Sequence, residues 1–536
     1  MTNIKYFIYL IFLSWSNLQG QLINFDLRLE PINIVGLPGL QSYAFGQSDG
    51  KWLIAGGRLD GLHQRQPFAS FDTSGNNKQI YVVDPILRRV WKTDISTLSI
   101  TLQEQLSSTN MEFLQKGAYL YLIGGYGYHS STASKLTFGQ LTSIDVSGLI
   151  GAIISGGDIR PYFRSVSDER FAVTGGHLNM INGIFYLVGG QRFDGNYNPM
   201  GHPTYSQKYT NAIRKFSIED DGKSLNITHF PEVTDAVQLH RRDYNAVAQI
   251  LPNGEEGITA FSGVFQPNVD LPFLNCVNID RNGYSVQQSF QQYYNHYHCA
   301  VLPLYDSKKN EMHSIFFGGI AQYYDNAGTL VQDNNVPFVK TIARITRSDN
   351  GRMAEYKMPL LMPGYLGASS EFIINDKIPH FDNHVLKLDQ FTGDTVLVGY
   401  IFGGIRSDAP NIFNSSLGDG SDANSVVYAV TLIQDQSLNA DDLNVQSIGN
   451  LAMQVYPNPG NGLINIRYFL SKPMRTKVMI SNENGTILYQ KNFRQRTRGF
   501  HDDQISLEEF GFFGPLWITI ETPIENATQM LIIKQN

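Results

Sequence analysis

Two cysteines in 536 residues, Cys276 and Cys299, exclude a disulfide scaffold as the source of stability. One bridge is the most they could form. Nothing in their spacing forces the α-carbons together, so two buried free thiols are the simpler expectation. A basic surplus is missing too. The net charge is −7, and residues 453–536 carry nine Lys or Arg against seven Asp or Glu, so the body is more acidic than the whole. Such a body argues against a nucleic-acid binder, which needs cationic surface to neutralise phosphates. No apolar run is long enough to span a bilayer. No Gly-rich phosphate loop, nucleophile elbow or His-Glu zinc motif occurs.

Glycine, in contrast, is abundant at 49 residues, and there are 28 Tyr and 32 Phe. Glycine supplies turns and aromatics favour strands, so the composition predicts an all-β protein of many short strands. The chain opens MTNIKYFIYLIFLSWSNLQGQ. Lys5 precedes an apolar run from Tyr6 to Trp15, followed by small and polar residues. This reads as a secretory signal peptide over residues 1–20, which leaves no transmembrane segment in the mature chain.

The middle of the chain repeats itself. GKWLIAGGR, AYLYLIGGYG, GIFYLVGGQR, GITAFSGVF, MHSIFFGGI and VLVGYIFGGIR each run an apolar strand into Gly-Gly, or Ser-Gly in the fourth copy. The second residues of the pairs are Gly57, Gly125, Gly190, Gly263, Gly319 and Gly404, at spacings of 68, 65, 73, 56 and 85. A polar loop and another apolar strand follow each pair. Such a unit makes one four-stranded sheet, which must be covered by its neighbours around an axis. The pattern resembles the kelch β-propeller family, and the first copy, with Tyr81 and Trp91 downstream, fits best. The resemblance covers residues 21–435 and implies six blades, with room for a seventh in the last spacing. Leu22–Leu37 is expected to supply the outer strand of the last blade, because a propeller with a free edge would invite aggregation.

Residues 436–452 are polar and lack periodicity, and read as a linker. VYPNPGNG then forces an irregular turn, and short alternating strands follow, so residues 453–536 are predicted to form a small β-sandwich. This stretch is similar to the C-terminal sorting domain of the type IX secretion system of Bacteroidetes. The matching residues are Tyr456, Pro457, Asn458, Pro459, Asn461 and Gly462, the turn Asn484-Gly485, and the closing IIKQ with Lys534. The resemblance implies the type IX machinery as a partner. It also implies a secreted or outer-membrane surface location in a Gram-negative bacterium, and cleavage of the domain after export.

Ligand candidates follow from the meander, which brings the residue after each Gly-Gly to the face where inner strands begin. Arg58, Arg192 and Arg406, with Arg241 or Arg242, could form an anion or acidic-sugar patch. The competing expectation pairs them with Asp60, Asp194, Asp243 and Asp408. His296 and His298 alternate in YYNHYHCAVL and would point to one side of a strand. With Tyr297, Cys299, Tyr293, Tyr294 and Tyr244 nearby, they raise a copper oxidase of the kelch type, but no metal or other cofactor is expected. HRRDY, His240–Tyr244, raises an acid–base pair of His240 and Asp243, as in a kelch-like sugar-acid epimerase. Ion pairing with the arginines would instead make Asp243 a poor base. The expected function is binding of a glycan or a surface protein. A sugar-active enzyme on the same face is the alternative, and a structural surface protein the third possibility.

Overall fold

The structure is a computed structural model. It describes residues 25–198, 204–326, 329–413, 420–434, 451, 453–456, 463–470, 473–482, 486–507, 514–523 and 526–533. The expected signal peptide, the linker apart from Leu451, the turn Asn484-Gly485, and Pro457, Asn458, Pro459, Asn461, Gly462 and Lys534 lie outside these. Strand makes up 56% and helix 8%, so the class is all-β. The chain divides into two compact units, 1–434 and 435–536.

Among the described residues the first unit holds six sheets of four or five strands in chain order. They are antiparallel but for a short parallel pairing of Leu304 with Leu386 in the fifth. Two two-stranded ribbons accompany them, Gln191–Gly195 with Tyr205–Tyr209 and Tyr323–Asn326 with Thr329–Gln332. The first contains Ala44–Ser48, Lys51–Ala55, Gln79–Asp84 and Arg89–Asp94. The second contains Thr109–Lys116, Tyr119–His129, Gln140–Asp145 and Phe163–Ser167. The third is built on His177–Ile181 and Ile184–Val188, the fourth on Asn245–Ile250 and Glu256–Phe261, and the fifth on Val301–Asp306 and Glu311–Phe317. The sixth joins Tyr365–Ile374, Thr395–Ser407 and Val427–Gln434 to the N-terminal strand Phe25–Ile32. Phe25 lies opposite Gln434 and Ile32 opposite Val427. The N-terminal segment is therefore the outer strand of the last sheet, as the free-edge argument requires.

Each second strand is buried on both faces, which explains why these strands read as unbroken apolar runs. In YLYLI, Leu120 and Leu122 join a core with Leu53 and Ile80 of the first sheet. Tyr121 and Ile123, on the other face, join Phe185 and Leu187 of the third. The same relation continues around the unit. Ile373, Tyr400 and Phe402 of the sixth sheet pack with Trp52, Ile54 and Tyr81 of the first. A helix that was not anticipated, Val146–Ser155, helps fill the gap between the first two sheets with Val146, Leu149 and Ile150. Asp145 caps it by accepting from the Gly148 amide, and it stops at left-handed Gly156.

The Gly-Gly pairs link neighbouring sheets. The second glycine of each donates its N–H to the carbonyl of a residue leading into the next sheet. Gly57 donates to Ser108, Gly125 to Val173, Gly190 to Arg241, Gly263 to His296 and Gly319 to Leu366, at 2.7–3.2 Å. Gly404 of the sixth sheet donates to Leu40 of the first at 2.8 Å. The first glycine comes too close for a side chain. A Cβ on Gly124, Gly318 or Gly403 would lie 1.9, 2.1 or 2.3 Å from a backbone oxygen of the next sheet's lead-in. All three have φ between +65° and +73°.

A second set of bonds runs around the inside. The Asn110 amide donates to Ser42, Asp243 to Gly175, His298 to Asp243, Ser369 to His298, and Ser42 back to Ser369, each to the carbonyl. The Thr174 hydroxyl bridges to the Asn110 carbonyl at 3.1 Å. Six positions, one per sheet, are thus tied head to tail.

Cys276 and Cys299 are both free and buried, in one core between the fourth and fifth sheets. The second unit has a three-stranded sheet, Gln454–Tyr456, Leu463–Leu470 and Gly499–Ser506, and a four-stranded one built on Met474–Ser481 and Gly514–Glu521. They share a core that includes Ile464, Ile466, Val478, Ile480, Leu516 and Ile518. Among the described residues no helix is long and apolar enough to cross a membrane.

The clash at the glycine clasp gives a paired prediction. Gly124→Ala should cost about 3 kcal/mol or more in urea unfolding, because Val173 must move. Gly117→Ala, at φ +58° with open space around it, should cost about 1 kcal/mol. Equal costs would mean that close approach is not why the clasp is glycine.

Candidate functional site

The six tied positions surround a cavity of about 1060 Å³. Ser42, Asn110, Gly175, Asp243, His298 and Ser369 all line it. Three residues further along each inner strand, Phe45, Phe113, Leu178, Ala246, Val301 and Phe372 also line it, one from each sheet. They form a largely apolar collar, in which the Phe45 and Phe113 rings meet at 5.2 Å.

The segments that follow the first three Gly-Gly pairs supply most of an aromatic wall. His63 stacks on Phe71 at 4.4 Å, and its other contact is edge-on to Tyr197 at 4.7 Å. Phe193 stacks on Tyr205 at 4.6 Å, and Tyr209 on His240 at 3.7 Å. Tyr126 stands edge-on to both Phe71 and Phe193. All these rings line the cavity.

Against this wall sits a cluster of ionisable groups. Asp243, at φ +48°, pairs with the Arg242 guanidinium. Arg242 also donates from Nε to the Tyr209 hydroxyl at 2.9 Å and lies over Phe265 at 5.0 Å. His298 Nε2 is 3.2 Å from Glu371 Oε1. Burial disfavours the His298 imidazolium. The Glu371 carboxylate, with Asp243 behind it, outweighs burial and holds its pKa above the usual range. His177 meets the His298 ring edge-on at 5.1 Å and donates from Nε2 to the Tyr244 carbonyl. Burial, with His298 adding, pushes His177 down to about 3. Glu112 accepts from the Gly176 amide at 2.8 Å, and burial pushes it up to about 8. The cluster therefore holds the Arg242–Asp243 ion pair, His298 bonded to Glu371 and, at neutral pH, a neutral imidazole at His177 and a largely protonated carboxyl at Glu112. Such shifts gathered in one lined cleft make it the candidate functional site.

Of the seven residues singled out in the sequence, Arg242 and His298 line this cavity; the arginine patch does not form. Arg58 is 2% exposed and bound to Asp60 and Asn76. Arg192 pairs with Asp194 and Glu169, and Arg406 with Asp408 and Asp422. Arg241 is buried over Phe273 and donates to the Gln238, Ser262 and Asn275 carbonyls. The side chains of His296 and His298 do not share a face, because residues 291–298 are irregular backbone rather than strand. Both His296 ring nitrogens are held, by the Gln292 carbonyl at 2.9 Å and the Gln322 amide at 3.0 Å. The copper arrangement loses this ligand, and Tyr244 gives its hydroxyl to the Val188 carbonyl. Among the described residues no three His, Cys, Asp or Glu gather as a metal-holding group. His240 is bonded to Asn211 and stacked on Tyr209, so it does not form a pair with Asp243.

Glu112, His177 and Glu371 were not anticipated. Each lies two residues beyond its sheet's tied position, at Asn110, Gly175 and Ser369. Counting along the inner strands, rather than from Gly-Gly, would have found them.

Residues 454–534 match the family described as the secretion system C-terminal sorting domain. This domain marks proteins exported by the type IX system and released or attached at the outer-membrane cell surface of Bacteroidetes, and the chain is so addressed. No curated protein matches the chain in sequence. Among solved structures, YjhT is similar at 11% identity and TM-score 0.39, over 75% of this chain and 99% of that one. A glycoside hydrolase family 43 arabinoxylan arabinofuranohydrolase from Bacillus subtilis is similar at 10% identity and TM-score 0.27, over 94% of this chain and 97% of that one. Both neighbours are β-propeller-like. Superpositions this loose transfer no chemistry.

Glu112 sets a pH prediction. Its pKa rises on folding from 4.5 to about 8, so its contribution to stability is present below pH 4.5 and lost as pH climbs through 8. Glu112→Gln keeps an acceptor for Gly176 and removes that loss. The variant should melt at least about 2 °C above the parent at pH 8, with the gap closing toward pH 5. A pH-independent difference would mean that Glu112 is not protonated in the fold.

Proposed function

We propose that residues 25–434 are a six-bladed propeller of the kelch type, delivered to the cell exterior by the C-terminal domain, and that its central cavity binds carbohydrate. The observation that carries this reading is the cavity itself. Stacked aromatic faces stand beside polar groups whose positions are fixed by ion pairs and main-chain bonds. Sugar rings present apolar C–H faces to aromatics and hydroxyls to fixed donors and acceptors. A deep, lined cavity suits a glycan chain better than a flat protein surface, so a protein ligand is the weaker choice. The six sheets, the Gly-Gly clasp and the outer N-terminal strand support the kelch assignment. The sorting motif is proposed to engage the export machinery through Tyr456, Pro457, Asn458, Pro459, Asn461, Gly462 and Lys534.

Catalysis on the bound sugar is a second reading, favoured by the buried group of His298, Glu371, Asp243, His177 and Glu112. Such a group could move protons between substrate positions. Turnover of a bound oligosaccharide, followed by proton NMR and lost in Glu371→Gln, would favour the enzyme. Binding without turnover would leave a lectin-like module.

The test of binding is retention of the full chain on a glycan array, followed by titration of the best ligand. Tyr197→Ala removes one aromatic face and should weaken binding about tenfold, consistent with the loss of a ring contact. No retention of any glycan would sink the carbohydrate reading.

A further inference from the structure

We infer that the saccharide taken by this cavity is uncharged. The inference rests on the carbohydrate reading and deepens it. An anionic sugar would need a guanidinium or ammonium group free to meet its carboxylate or sulfate, since burying an unpaired charge is costly.

The cations on the cavity wall are already engaged. Arg242 is held by Asp243 and by the Tyr209 hydroxyl. His298 is held by Glu371 at 3.2 Å. Arg65 donates to the Phe413 carbonyl at 2.9 Å. No lysine lines the cavity among the described residues. The carboxylates of Asp243, Glu371 and Asp270 border the same space. A further negative charge would meet an arginine and a histidine already paired with Asp243 and Glu371, in a partly dry site where a charge without a partner is costly. The remaining polar wall is neutral and suited to hydroxyls. Asn110 and Ser369 line the cavity with donors and acceptors, and Ser42 and Asn179, whose donors are given to Gln41 and the Ala246 carbonyl, add acceptors. This departs from the acidic-sugar pocket that the arginines suggested in the sequence. The difference arises because each of those arginines has a nearby carboxylate or a carbonyl cage.

The test uses the full chain on an array carrying oligomers of neutral hexoses and pentoses beside uronic acid, sialylated and sulfated glycans. Neutral oligomers should be retained, with acidic ones at least about tenfold weaker. Asp243→Asn then releases Arg242 from its carboxylate. Asparagine tolerates the left-handed backbone at this position, and the main-chain bonds stay. The ratio of acidic to neutral binding should rise at least about fivefold in this variant. Acidic glycans held as tightly as neutral ones by the parent chain would overturn the inference while leaving the carbohydrate reading intact. An unchanged ratio in Asp243→Asn would overturn the charge argument. Retention of no glycan at all would bring down both.

Discussion

A glycine N–H donated to the carbonyl of the next sheet's lead-in, made six times and returning from Gly404 to Leu40, is the interaction on which the rest of the first unit depends. A four-stranded sheet buried on both faces cannot be stable alone, because each face needs a partner. The clasp fixes the distance at which partners meet. It requires the first residue of each pair to turn with positive φ beside a foreign backbone oxygen, which leaves little choice but glycine. Ser262 is the exception, and its hydroxyl is satisfied by the Phe273 carbonyl.

The clasp also determines where the site lies. The segments that follow it in the first three sheets, partly strand and partly loop, carry most of the aromatic wall. The carbonyls that receive the clasp lie just before the inner strands, so the strands begin at nearly the same level in every sheet. That common level lets Ser42, Asn110, Gly175, Asp243, His298 and Ser369 join head to tail. Asp243 and His298 thus reach the cavity through main-chain bonding, and pair there with Arg242 and Glu371. The ionisable cluster is a product of the same geometry that holds the sheets together.

Much of this was legible in the chain. The diglycine repeat marked the second strand of every sheet, and unbroken runs such as YLYLI followed from burial on two faces. The need to cover a last edge pointed to the strand Phe25–Ile32. The local pairs Arg58–Asp60, Arg192–Asp194 and Arg406–Asp408 were readable as i, i+2 neighbours beside a strand. The acids and histidine of the site were not. Glu112, His177 and Glu371 are recognisable only by their distance from the tied positions, and those positions sit at uneven intervals because the outer loops differ in length. His296 and His298 misled for another reason. Alternation puts two residues on one side only where the backbone is extended, and here it bends to let His296 bond to Gln292 and Gln322. The helix Val146–Ser155 occupies a loop with no counterpart in the other repeats.

The most direct measurement is hydrogen exchange read at single amides on the six clasp glycines, Gly57, Gly125, Gly190, Gly263, Gly319 and Gly404. If the sheets form one ring tied by these bonds, the six amides exchange at a common slow rate governed by global unfolding. A Gly404 amide that exchanges orders of magnitude faster than the others would contradict the account, because it would mean that the sixth sheet is not fastened to the first.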